Sequence, residues 1–226
     1  MIEMLGRIND VLVLWFGGIS IEHKAALSLL GAALAALGYA VAVIQTYRGK
    51  SYPNPMSWFA FGLLTLVDVW VMHKSGAGAG TWTMEVSVAG SFAQCFASLL
   101  CKPKGWKLND FPVKAWVTLG LGVGCFAAYL DSKALGLTAL GAVAFATLSD
   151  FLTYGPAIIS SWKDPWGENG FSYSMQSLKN APAVAALVVI SPENWLYYMM
   201  LLLMNGPLMI TYFMVRRSFV PRKKGE

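Results

Sequence analysis

The sequence predicts an all-α integral membrane protein. Its seven transmembrane helices form two parallel three-helix bundles joined by a linker helix, a 3+1+3 plan. Three observations predict it. The 226 residues are 56% hydrophobic and only 13% charged, with a mean hydropathy of +0.53, whereas soluble globular domains carry roughly 25% charged residues. The apolar residues fall in long runs with short polar loops between them, as membrane-spanning helices do. The runs also repeat at a fixed offset, and the basic residues collect in alternate loops.

The chain begins with Ile2, Leu5, Ile8, Leu12 and Trp15 at helical spacing. This predicts an amphipathic interfacial helix within an N-terminal segment, residues 1–24. Acidic Glu3 precedes Arg7, Val11–Phe16 is a short apolar stretch and no Ala-x-Ala site follows, so a signal peptide is not expected. Spans of about 20 apolar residues are then met at Ala25–Thr46, Pro53–Met72, Thr83–Cys101, Pro112–Leu130, Leu135–Trp162, Phe171–Ile190 and Trp195–Val215. Residues 25–101 make the first bundle, 102–133 the linker helix, 134–217 the second bundle and 218–226 a basic cytoplasmic tail.

Loop charge sets the orientation. One side collects Arg48, Lys50, Lys102, Lys104, Lys107, Lys114, Lys163 and the basic residues from Arg216 to Lys224; the other holds Arg7, Lys24, Lys74 and Lys133. The richer side is cytoplasmic, which puts the N-terminus outside and the C-terminus inside, as in a bacterial inner membrane. The net charge of +5 therefore reflects topology, and no nucleic-acid partner is expected. Cys95, Cys101 and Cys125 form no Cys-x-x-Cys pair. They read as small apolar packing residues, not as a disulfide framework or a zinc site.

An offset of 115 aligns Ile44 with Ile159, Tyr47 with Trp162, Arg48 with Lys163, Ser57 with Ser172, Trp58 with Tyr173, Leu63 with Leu178 and Met84 with Met199. Spans one to three then match five to seven without gaps, and span four is left as the linker. Two repeats in the same orientation are a plan found among transporters.

The segment Tyr47-Arg-Gly-Lys-Ser-Tyr-Pro-Asn-Pro-Met-Ser-Trp58 and its second copy, Trp162-Lys-Asp-Pro-Trp-Gly-Glu-Asn-Gly-Phe-Ser-Tyr173, resemble the first inner loop and second-helix entry of the PQ-loop superfamily. That superfamily includes the SWEET sugar transporters, cystine exporters and a lumenal retrieval receptor. The second loop is also similar to that of a group of bacterial membrane proteins with Trp-x-x-Pro-x-x-Glu. The resemblance implies the 3+1+3 fold, with hinge prolines for which Pro55, Pro156 and Pro182 are the counterparts. The chain departs from the family in lacking a Pro-Gln dipeptide and a proline in span one.

Polar groups within spans are costly and mark functional sites. Asp150 lies roughly 18 Å from the inner end of its span, Lys179 and Asn180 roughly 12–14 Å and Asn205 roughly 16 Å, at 1.5 Å per residue. These four, with Gln94 of span three, are the candidate substrate-binding residues. Asp150 and Lys179 are expected either as a structural ion pair or as a substrate or proton-coupling site. Trp58 and Tyr173 are candidate inner gate residues, although an aromatic belt accounts for them equally well. Asp68 and Glu85, near the outer ends of spans two and three, read as lining an outer mouth or as solvated rim charges. Pro207 joins Pro156 and Pro182 as an interruption of the last three spans.

Catalytic readings fail for lack of parts. His23 and His73 make no metal-binding pair, and no Gly-x-Ser-x-Gly or phosphate loop is present. A retinal protein would need a lysine in its last span, and Trp195–Val215 has none. The expected function is transport of a small polar solute by alternating access between the bundles, with proton coupling if Asp150 titrates. No enzyme activity, cofactor or metal is expected. The partners are the lipid bilayer and the solute, and the scaffold also suits a homo-oligomer or a larger membrane complex. The alternative is a non-transporting receptor, or a structural subunit of such a complex.

Overall fold

The computed structural model describes residues 2–51, 53, 55–101, 117, 120, 140, 141, 143–151, 154, 165 and 170–221. Most of the predicted fourth and fifth spans, and Pro156, lie outside them. Among the described residues the structure is all-helical: α1 (Ile2–Phe16), α2 (Ile21–Tyr47), α3 (Pro55–Lys74), a 3₁₀ turn (Gly78–Thr81), α4 (Trp82–Leu100), α5 (Gly170–Leu178), α6 (Asn180–Ala185), α7 (Pro192–Leu203), a π turn (Met204–Leu208) and α8 (Met209–Phe219). Residues 143–151 are also helical. Two helices among them, α2 and α3, are long and apolar enough to cross a membrane.

Ser20 caps α2, its hydroxyl accepting from the His23 N–H at 3.4 Å. The buried face of α2 is Lys24, Ser28, Gly31, Ala35, Gly38, Tyr39, Ala42 and Thr46. Small residues at this spacing let neighbouring backbones approach closely, and two sides of α2 are packed accordingly. On one side lies α4, through Tyr39 to Ser91 at 3.0 Å and Gln94 to Thr46 at 2.8 Å. On the other lies α5, where the Ser172 hydroxyl donates to the Gly38 carbonyl at 3.0 Å. A Cβ on Gly38 would come within 3.0 Å of the Gln176 amide nitrogen, and one on Gly31 within 2.4 Å of the Thr83 hydroxyl. α3 packs along the remaining side of α4, so the first three long helices lie in the order α2–α4–α3.

The second half meets the first in two places. α5 and α6 pack on α2, while Ala146 packs on α3 against Leu64 and Val67 and the Tyr154 ring lies 5.2 Å from that of Phe61. The end that carries the 75–81 turn, called the upper end here, holds the main apolar core. Met72, Met84, Leu187, Trp195 and Tyr198 are buried in it.

Four sequence expectations need correction. The predicted span Phe171–Ile190 is broken. Pro182 has no N–H for the Leu178 carbonyl, the chain turns at Lys179, and helix stops at Ala185. Beyond it the Val188 N–H bonds the Ala77 carbonyl at 3.0 Å instead. Pro55, expected as a hinge, is the first residue of α3 and not within it, a first-turn position where the missing N–H costs nothing. Trp15 leaves the apolar stripe of α1, being 68% exposed; the packed face is Leu5, Ile8, Leu12 and Phe16. That face lies on the protein core, fixed by a 3.1 Å bond from the Trp195 indole to Asn9. Asp68 is no solvated rim charge, being 1% exposed.

Candidate functional site

A cavity of about 40 Å³ lies among α2, α3, α4, α5, α7 and residues 150–154. It has room for about three waters, since one occupies roughly 10–15 Å³ on this measure. Lys179, Asp150, Asn205, Trp58 and Tyr173 line it, so the fold brings together five residues the sequence singles out, from four separate stretches of chain.

Each is positioned by a local feature. Lys179 sits at the break before Pro182, where the chain turns between α5 and α6. It is 2% exposed, and its ammonium donates to the Ser87 hydroxyl at 2.5 Å while lying 5.4 Å from the Tyr39 ring centre. Asn205 lies in the π turn. Pro207 withholds an N–H from the Leu203 carbonyl, and the wider turn is the kind found at functional sites. Its side-chain carbonyl accepts from the Tyr154 hydroxyl at 2.8 Å. Asp150 is fully buried. The salt bridges among the described residues, Arg7–Glu3 and His73–Glu85, are at the surface. Lys179 and Asp150 thus line one cavity without a direct ion pair.

Other candidates lie elsewhere. Asn180 turns its amide back to the Gln176 and Ser177 carbonyls, at 2.7 and 3.2 Å, and steadies the break. Gln94 belongs to a separate polar cluster with Thr46 and Ser98. Glu85 is a surface group, bonded to His73 and Thr81 at 2.9 Å each. Asp68, one turn above Thr65 on α3, is enclosed, and neither carboxyl oxygen has a hydrogen-bond partner.

The sequence reading does not single out Tyr39, Ser87, Ser91, Tyr154, Gln176 or Tyr197, all of which line the cavity. Their signal is periodicity. Ser87 and Ser91 stand one turn apart, Tyr154 one turn after Asp150 and Gln176 one turn before Lys179.

The two ends of the cavity differ. Towards the lower end the walls are aromatic: Tyr39, Trp58 and Phe61 meet edge to face at 5.9 and 5.6 Å. The upper end is closed by hydrogen bonds onto backbone carbonyls. Tyr198 donates to Gly80 at 2.5 Å, Lys24 to Leu187 at 2.8 Å, and Ser28 to Ala79.

No protein-family model, curated protein or solved structure matches this chain.

Proposed function

We propose that the protein is a membrane transporter of a small polar solute, working by alternating access and not by catalysis. Its seven spans form two three-helix bundles about a linker helix, with the N-terminus outside and the C-terminus in the cytoplasm of a bacterial cell. The observation that carries this reading is the cavity itself. A lysine, an aspartate, two side-chain amides and several hydroxyls converge on one small space between the two halves of the chain, where an unused polar group would be expensive.

Two further observations support it. The contacts between halves are paired as a repeat requires: the first long helix meets the sixth predicted span, and α3 meets the fifth. The cavity also differs at its two ends, with apolar core and hydrogen-bonded backbone above and aromatic rings below. Rocking one bundle against the other would exchange these states.

The test is accessibility. In a background without Cys95, Cys101 and Cys125, Ser91→Cys in the cavity wall is exposed to a membrane-impermeant thiol reagent from each face. Labelling from both faces, with one suppressed by bound solute, supports transport. Labelling from neither face, or from one under all conditions, overturns it. A tag after Glu226 is expected on the cytoplasmic side.

A further inference from the structure

The cavity holds buried donors that lack acceptors, and this defines what it would bind. A lysine ammonium has three N–H bonds to donate. Lys179 uses one on Ser87, at 2.5 Å, and otherwise faces the Tyr39 ring. Gln176, one turn earlier and 5% exposed, lines the same cavity, and its amide nitrogen has no hydrogen-bond partner. Buried donors are normally satisfied, because an unmade bond leaves the cost of desolvation unrecovered. A cationic and a neutral donor lining one small cavity suit an anionic oxygen pair, and a carboxylate supplies one.

The second half of the ligand follows from charge. Asp150 lines the same small cavity, so one cation and one anion of the protein face one ligand. A bare carboxylate would leave the site with an excess negative charge in a low-dielectric setting, and a bare amine an excess positive one. A solute with both groups keeps it neutral. The aromatic rings of Trp58, Tyr173 and Tyr197, which line the space, also suit an ammonium.

We propose that the solute is a small zwitterion of amino-acid size, its carboxylate held by Lys179 and Gln176 and its ammonium directed to Asp150. This rests on the transporter reading and specifies its substrate class. The cavity, at about 40 Å³, must widen to admit even glycine, and the Trp58 and Phe61 rings at its lower end are the groups that would move.

The experiment measures binding separately from transport. The full-length protein in detergent is melted with glycine, L-alanine, acetate, methylamine or glucose at equal concentration. A ligand that binds the folded state alone raises Tm. Glycine and L-alanine are expected to raise it, and acetate and methylamine to bind about tenfold more weakly or worse, since each forfeits a charged hydrogen bond. Lys179→Met and Gln176→Leu are both expected to abolish the glycine shift; the second, a neutral exchange, covers the case in which the first fails to fold. Asp150→Asn is expected to reverse the order, so that acetate binds better than glycine. A shift with glucose alone, a glycine shift that survives Gln176→Leu, or no shift with any of the five overturns the proposal. Glycine that binds but is not carried into proteoliposomes leaves the site standing and sinks the transport reading. Carriage of glucose alone does the reverse.

Discussion

The ammonium of Lys179 lies 5.4 Å from the centre of the Tyr39 ring. That ring is itself fixed from α4. Its hydroxyl meets Ser91 at 3.0 Å, and its Cγ and Cδ2 lie so close to Gly90 that a Cβ there would stand 2.3 Å away. A glycine, a ring and an ammonium thus form a chain of contact from α4 through α2 to the break between α5 and α6. The cation is held at the cavity wall by a rigid aromatic face and a single hydroxyl.

Gly90→Ala is therefore expected to destabilise the protein by about 1–3 kcal/mol, the usual cost of overpacking a well-filled site. The ring cannot yield as a flexible side chain would. In a Tyr39→Leu background the same exchange should cost much less. Melting of the four proteins in detergent checks this, and equal losses from Gly90→Ala in both backgrounds would refute the contact.

Asp68 gives a prediction of the opposite sign. It is 1% exposed and neither oxygen is hydrogen-bonded, so the fold bears the cost of burying it without recovering a bond. Asp68→Leu should raise stability by about 1–3 kcal/mol. Asp68→Asn should gain less, because an unbonded amide remains. A fall in Tm for Asp68→Leu would contradict the environment described.

The upper closure predicts a change in accessibility. Ser28→Ala and Tyr198→Phe each remove one donor to the carbonyls of the 78–80 turn. Each loss should be worth about 0.5–1.5 kcal/mol against the closed state. Together they should raise the rate at which Ser91→Cys is labelled from that face by roughly tenfold, taking about 1.4 kcal/mol per factor of ten. Unchanged labelling would mean that these bonds are not the closure.

Much of the helical layout was legible because apolar run length is a strong local signal. The ends of α2, α3 and α4 fall within a few residues of the predicted spans. Counting rise per residue puts Asp150, Lys179 and Asn205 at similar levels, and all three line the cavity. What it could not supply was azimuth. Asn180 is adjacent to Lys179 yet turns away from the cavity to bond its own helix. Gln94 shares a helix with Ser87 and Ser91 but pairs with Thr46, nearer the other end. Asp68 looked like a rim residue because it lies six residues from Lys74. The packing of the 75–81 turn, α1 and the 186–191 segment over that end extends the interior past it, and no local pattern encodes this. The break at Lys179 was foreshadowed by Pro182, but the loss of helix after Ala185 depends on tertiary bonds from Val188 and Lys24.

The final prediction concerns Asp150 and Lys179 as a pair. Opposite charges on one cavity wall must interact, but the lysine spends its close contacts on Ser87 and Tyr39, so the coupling is not that of a contact ion pair. Removing one partner of a buried contact pair costs about 3–5 kcal/mol, and removing both restores much of it. Here each of Asp150→Asn and Lys179→Met should cost less than that. The double mutant should show an interaction energy of about 0.5–1 kcal/mol, at the low end for residues sharing a network. The readout that separates a binding site from a scaffold is ligand response. If the cavity serves binding, the double mutant recovers part of its Tm and still shows no shift with glycine. A coupling of several kcal/mol would show that the two groups form a direct ion pair in the membrane. Full recovery of both stability and ligand response would show that the pair only sets helix register.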